Sequence, residues 1–165
     1  MKSKTKVVIG VAATIIAGLV VATPIINLTS PLLAAGNVSS SLNVHGVAKD
    51  LNDNNYFNVY LTTQGLSTIS SQVGSYKPGG ENGWHSHPGV VTVTLTQGSI
   101  VWYNGNCDAT IYKAGDSWAE GSQIHMFRVL GSETTLAYAT FITAQGEALR
   151  TDEPAPACAA ALGLN

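Results

Sequence analysis

The segment Gly83-Trp84-His85-Ser86-His87-Pro88-Gly89-Val90-Val91-Thr92-Val93-Thr94-Leu95-Thr96 decides how this chain is read. On an extended strand Val91, Val93 and Leu95 share one face and Thr92, Thr94 and Thr96 the other, which predicts a buried odd face and a solvated even face. His85 and His87 have the odd parity. Side chains at i and i+2 of a strand point the same way, so both imidazoles face the interior with the valines, provided that Pro88-Gly89 inserts no bulge. Two neutral histidines removed from water need hydrogen-bond partners, and a shared cation satisfies both. Histidine is also the commonest metal ligand near neutral pH. The plain alternative is a chance pair of polar groups in a pocket.

Outward from this segment the chain is a series of short extended runs. Apolar or alternating stretches occupy Leu32–Val38, Phe57–Thr62, Ser67–Tyr76, Val90–Thr96, Ser99–Tyr103, Thr110–Tyr112, Ser117–Glu120, His125–Leu130 and Thr134–Thr143. Gly, Asn, Asp and Pro separate them, with tight turns expected at Gln97-Gly98 and Lys113-Ala114-Gly115-Asp116. Such spacing predicts an all-β sandwich or barrel. Charged residues are only 11% of the 165, which argues against disorder, and the length suits one domain. The single helix anticipated is a short one near Ala157–Leu162.

The N-terminus reads as a targeting segment. Lys2, Lys4 and Lys6 precede an uncharged apolar run of 16 residues, Val7–Ala22, with small residues at a cleavage site after Ala22. The alternative is an uncleaved membrane anchor, although the run falls short of the roughly 20 residues a spanning helix needs. Both readings put the domain outside the cytoplasm, secreted or membrane-anchored, with the membrane touched only through this segment. The expected organisation is therefore a signal or anchor at 1–22, a β-barrel at 23–150 and a Pro/Ala-rich tail at 151–165. Without residues 1–22 five basic residues face ten acidic ones, a net charge of about −5, which speaks against a nucleic-acid partner. Cys107 and Cys158 are the only cysteines, and in an exported chain they are expected to pair, fastening the tail to the loop Asn104-Gly105-Asn106-Cys107.

The histidine segment resembles the first motif of the cupin superfamily. Gly79 is followed by five residues and His85-x-His87; after three intervening residues stands Val91, and after six more Gly98. The spacing is that of the family, but Val91 replaces its glutamate. The stretch Gly115-Asp116-Ser117-Trp118-Ala119-Glu120-Gly121-Ser122-Gln123-Ile124-His125 is similar to the second motif, with Gly121 at the proline position, Gln123 at a glycine position, and His125 one residue early. The resemblance covers about Ser67 to Thr143 and implies a jelly-roll barrel of the double-stranded β-helix type.

It further implies a divalent metal inside the barrel on His85, His87 and His125, with positions left open for water or a small molecule. Imidazole ligands suit zinc, iron, copper or nickel, and the missing carboxylate disfavours manganese. Glu81, Glu120 and Gln72 are candidate replacement oxygen donors, and nothing in the sequence places them. Phe127 has the parity of His125 and is expected to line the ligand pocket; Trp84, Trp102 and Trp118 are expected in the core, and His45 on the surface or in a strand. Two functions follow: a metal-containing binding or sensory module for a small polar ligand, or a metal-dependent oxygenase, isomerase or lyase. The family resemblance also implies a homodimer joined through sheet edges.

Overall fold

The computed structural model describes residues 27–49 and 56–164, so the targeting reading of residues 1–22 lies outside the described residues. The strands, in chain order, are β1 (Asn27–Thr29), β2 (Leu32–Val38), β3 (Asn43–Lys49), β4 (Tyr56–Thr62), β5 (Ser67–Tyr76), β6 (His85–Ser86) and β7 (Val90–Gln97). After them come β8 (Ser99–Asn104), β9 (Ala109–Lys113), β10 (Ser117–Glu120), β11 (His125–Leu130), β12 (Thr135–Ala144) and β13 (Thr151–Asp152), then a 3-10 turn at Ala160–Leu162.

One sheet runs β1-β5-β12-β7-β10, with β2 continuing beside β5; a second runs β13-β6-β11-β8-β9. The neighbouring pairs are antiparallel. From β5 to β13 the chain crosses between the two sheets at every connection except β8–β9, which is the double-stranded β-helix implied by the motif resemblance. Val91, Val93 and Leu95 of β7 pack against Ile100 of β8 and against Phe127 and Val129 of β11, so the inner faces of both sheets share one core. On β7 the burial alternates as the Val/Thr pattern dictates.

Two glycines make the crossings on either side of β7 sterically feasible. At Gly98, φ is 78° and a Cβ would run into Thr135, so the β7–β8 turn accepts no side chain. At Gly89 a Cβ would strike the carbonyl of Ile142. Pro88-Gly89 is therefore a corner that carries the chain from the second sheet to the first, and it preserves the inward parity of the histidines.

Strand β3 departs from the sequence reading: Gly46 and Lys49 break the alternation of Asn43–Lys49, and the ladder with β4 holds it extended. These two strands form a separate sheet whose Val44, Val47, Tyr56, Phe57 and Tyr60 are exposed.

The C-terminal segment is part of the body. β13 pairs with β6, Ala159 and Leu164 are buried with Trp84 and Met126 in a second core, and the indole N–H of Trp84 donates to the carbonyl of Leu164 at 2.9 Å. A disulfide joins Cys107 to Cys158 across a separation of 51 residues. Opening that loop in the unfolded state is worth about 4 kcal/mol in the chain-entropy model. Urea unfolding of the Cys107→Ser/Cys158→Ser variant is expected to show a loss approaching that size, whereas a change below about 1 kcal/mol would mean that packing alone holds the tail.

Candidate metal centre

Four side chains converge inside the barrel. His125 opens β11 and lies directly across the ladder from His85 on the two-residue β6. His87 sits at the corner leaving β6, its backbone N–H donating to the carbonyl of Gly121 at 3.0 Å. Glu120 ends β10, opposite Val91 of β7. The nearest ligand atoms of His85, His87, Glu120 and His125 all lie within 4.8 Å of one another. The histidines are buried, and the Glu120 side chain is only 5% exposed.

The hydrogen bonds decide which atoms face inward. Each Nδ1 meets a backbone carbonyl: His85 that of Gly83 at 2.9 Å, His87 that of Leu149 at 2.7 Å, and His125 that of Gln123 at 2.7 Å. A carbonyl oxygen only accepts, so each Nδ1 carries its hydrogen and each neutral ring presents the Nε2 lone pair to its neighbours. Oε2 of Glu120 lies 3.3 Å from Nε2 of both His87 and His125. Lone pairs facing a carboxylate oxygen repel unless a proton or a metal ion stands between them. Nε2 of His125 is buried and has no hydrogen-bond partner among the described residues, which leaves it available as a ligand.

The second oxygen of Glu120 is fully engaged. Oε1 accepts the indole N–H of Trp102 at 2.9 Å and that of Trp118 at 2.8 Å. Burial pushes the Glu120 carboxyl upward, but the facing His125 and His87 and the indole N–H of Trp118 outweigh it and hold the group below the usual carboxylate range. At His85, burial and then the nearby Arg150 and His125 lower the pKa from 6.5 to about 3, against the opposing bond to Gly83. His85 thus stays neutral beside an ionised carboxylate.

A cavity of about 300 Å³ adjoins the cluster. His85, His87 and Glu120 line it with Phe127, Val91 and Arg150. Arg150 is anchored by Asp152 at 2.7 Å and by the carbonyl of Asn82 at 2.8 Å.

Of the proposed oxygen donors, Glu120 enters the cluster; Glu81 is instead bound to Arg128 at 2.9 Å, and Gln72 borders the cavity. His45 is apart, on exposed β3, stacked on Tyr60. Trp84 is in the core as expected, and Trp102 and Trp118 pack against the main core while their indole N–H groups reach Glu120. In Ser117-Trp118-Ala119-Glu120 the even positions share the less exposed face of β10. Gly121 and Gln123, where the second motif departs from the family, meet His87 and His125 through their backbone carbonyls.

No protein-family model matches this sequence, and the curated proteins hold no match. Among solved structures, the chain is similar to an uncharacterized conserved protein with a double-stranded β-helix domain from Klebsiella pneumoniae, at 25% identity and TM-score 0.45 over 68% of this chain and 85% of that one. It is similar also to an oxalate oxidase in complex with glycolate (16% identity, TM-score 0.44, 59% of this chain and 57% of that one). A third likeness is to the Cnp3 cupin domain of Schizosaccharomyces pombe (13% identity, TM-score 0.43, 61% and 87%).

Acid should destabilise the metal-free protein through His85. Between pH 6.5 and about 3 the unfolded chain binds a proton there that the folded chain does not, so stability falls as pH drops through that window. Melting temperatures of chelator-treated protein are expected to decline over this range, and more shallowly in His85→Gln; equal slopes would remove His85 as a cause.

Proposed function

We propose that this chain, a cupin-type double-stranded β-helix by its strand order and its Gly79-to-Gly98 spacing, is an exported protein that holds a divalent transition metal and binds a small polar molecule beside it. The observation that carries the reading is the convergence of three Nε2 lone pairs and one ionised oxygen in a buried space. His85, His87, His125 and Glu120 would be the ligands. The carboxylate that position 91 lacks comes from position 120, so the argument against manganese falls away while zinc, iron, copper and nickel remain suited to the imidazoles. When bound, such an ion acts as a Lewis acid toward an oxygen of the bound molecule.

The rest of the work belongs to the chain. The carbonyls of Gly83, Leu149 and Gln123 orient the rings, apolar walls such as Phe127 and Val91 exclude water, and Arg150 offers positive charge at the cavity. Export is supported by the basic-then-apolar N-terminus and by the disulfide, which persists in oxidising compartments. Because three members of the cluster border the cavity, a molecule bound there reaches the ligand atoms directly, which favours a metal-dependent enzyme as the second reading.

Metal analysis of protein purified from an oxidising compartment is expected to give about one divalent ion per chain, lost in both His85→Ala and His125→Ala. Refilling the metal-free protein should raise its melting temperature, since an ion that binds only the folded state stabilises it. Wild type that purifies empty and gains no stability from any of the five metals would end the metal reading. A substrate screen of the loaded form then separates enzyme from binder.

A further inference from the structure

We propose that Trp102 and Trp118 are positioning residues for this centre, occupying Oε1 of Glu120 so that the carboxylate presents a cation with one oxygen, Oε2, in one fixed orientation. The inference rests on the metal reading above. Two indole N–H groups on one carboxylate oxygen, at 2.9 and 2.8 Å, come from different strands, β8 and β10. An indole N–H only donates, so both groups demand an acceptor at that point. The tryptophans are themselves held in place. Trp118 stacks on Tyr112 with ring centroids 4.4 Å apart, and Trp102 stacks on His125 at 5.7 Å.

Holding Oε1 away has a chemical consequence. A carboxylate free to rotate gives a metal either one oxygen or two, and the second would fill a coordination position. With Oε1 occupied, the protein supplies three nitrogens and one oxygen, and the remaining positions stay open toward the cavity. The pair therefore governs how many sites a small molecule finds vacant on the ion.

The arrangement makes an unusual prediction for substitutions at position 120. In Glu120→Gln the two indoles select the amide oxygen, because an NH2 group there would oppose two donors. The NH2 is then turned toward Nε2 of His87 and His125, where it donates to the lone pairs a metal needs. Glu120→Ala removes a ligand but puts nothing in its place. Glu120→Gln should therefore bind Co(II) more weakly than Glu120→Ala, by about tenfold, the scale on which outer-shell hydrogen bonds alter metal affinity. In a Trp102→Phe/Trp118→Phe background the amide can turn its oxygen inward, and the order should reverse. With Glu120 retained, that background should change the visible spectrum of bound Co(II), as the second carboxylate oxygen becomes available.

Titration of chelator-treated protein with Co(II), followed by absorbance, reads all of these, with circular dichroism verifying the fold of each variant. If Glu120→Gln binds as well as or better than Glu120→Ala with both tryptophans present, the positioning role is wrong while the metal centre stands. Should the double phenylalanine variant fail to fold, the comparison at position 120 decides alone. Wild type that takes up no Co(II) or other divalent ion overturns the metal reading, and the positioning role with it.

Discussion

Glu120 carries its charge where water scarcely reaches, and much of the barrel interior is arranged around that fact. An ionised carboxylate with a side chain 5% exposed is tolerable only if both oxygens find partners. Two indoles satisfy one oxygen and two imidazoles face the other. Those imidazoles and that of His85 need alignment of their own, and the aligning carbonyls lie at Leu149, Gln123 and Gly83, on three separate segments. Closing the barrel and assembling the cluster are thus one event. The local ones among these contacts are the bonds of His85 and His125, each to a carbonyl two residues away, and that of Trp118 to Glu120; the others join distant segments.

That division between local and distant explains what could be read from the amino-acid order. The Val91/Thr92 alternation, the glycine turn at Gly98 and the parity of His85 and His87 depend on neighbours along the chain, and the strand ladder follows them closely. Phe127 follows the same logic, reaching the cavity by parity with His125. The role of Glu120 was not legible because a carboxylate becomes a site residue only through the β7–β10 register. Trp102 and Trp118 were hidden for a different reason: an indole is large and apolar enough to suit any core, and only the acceptor opposite reveals that its N–H matters. Strand β3 owes its shape to β4, and its own residues do not alternate.

The C-terminal segment shows how a very short element is kept in place. β6 has two residues, too few to hold a position by its own ladder. It lies between β11 on one side and β13 on the other, while Ser86 donates to Glu153 at 2.7 Å and the backbone N–H of Glu153 donates to the carbonyl of Trp84 at 3.0 Å. Leu164 and Ala159 pack beneath Trp84, and the disulfide ties this segment to the β8–β9 loop. That loop is itself ordered by Asn104, whose Oδ1 accepts from the backbone of Asn106 and Asp108. The tail is thus a brace for His85.

The register that sets Glu120 against Val91 also bears on how such centres are recognised. Residues facing each other across an antiparallel ladder deliver their side chains to the same small volume, though they stand far apart in the chain. A carboxylate can therefore be exchanged between two addresses while its destination stays the same. Where a motif letter is absent, the place to look is the facing residue on the adjacent strand. A signature written as a line of text is, in a folded sheet, a two-dimensional grid, and a gap in one row can be filled from the next.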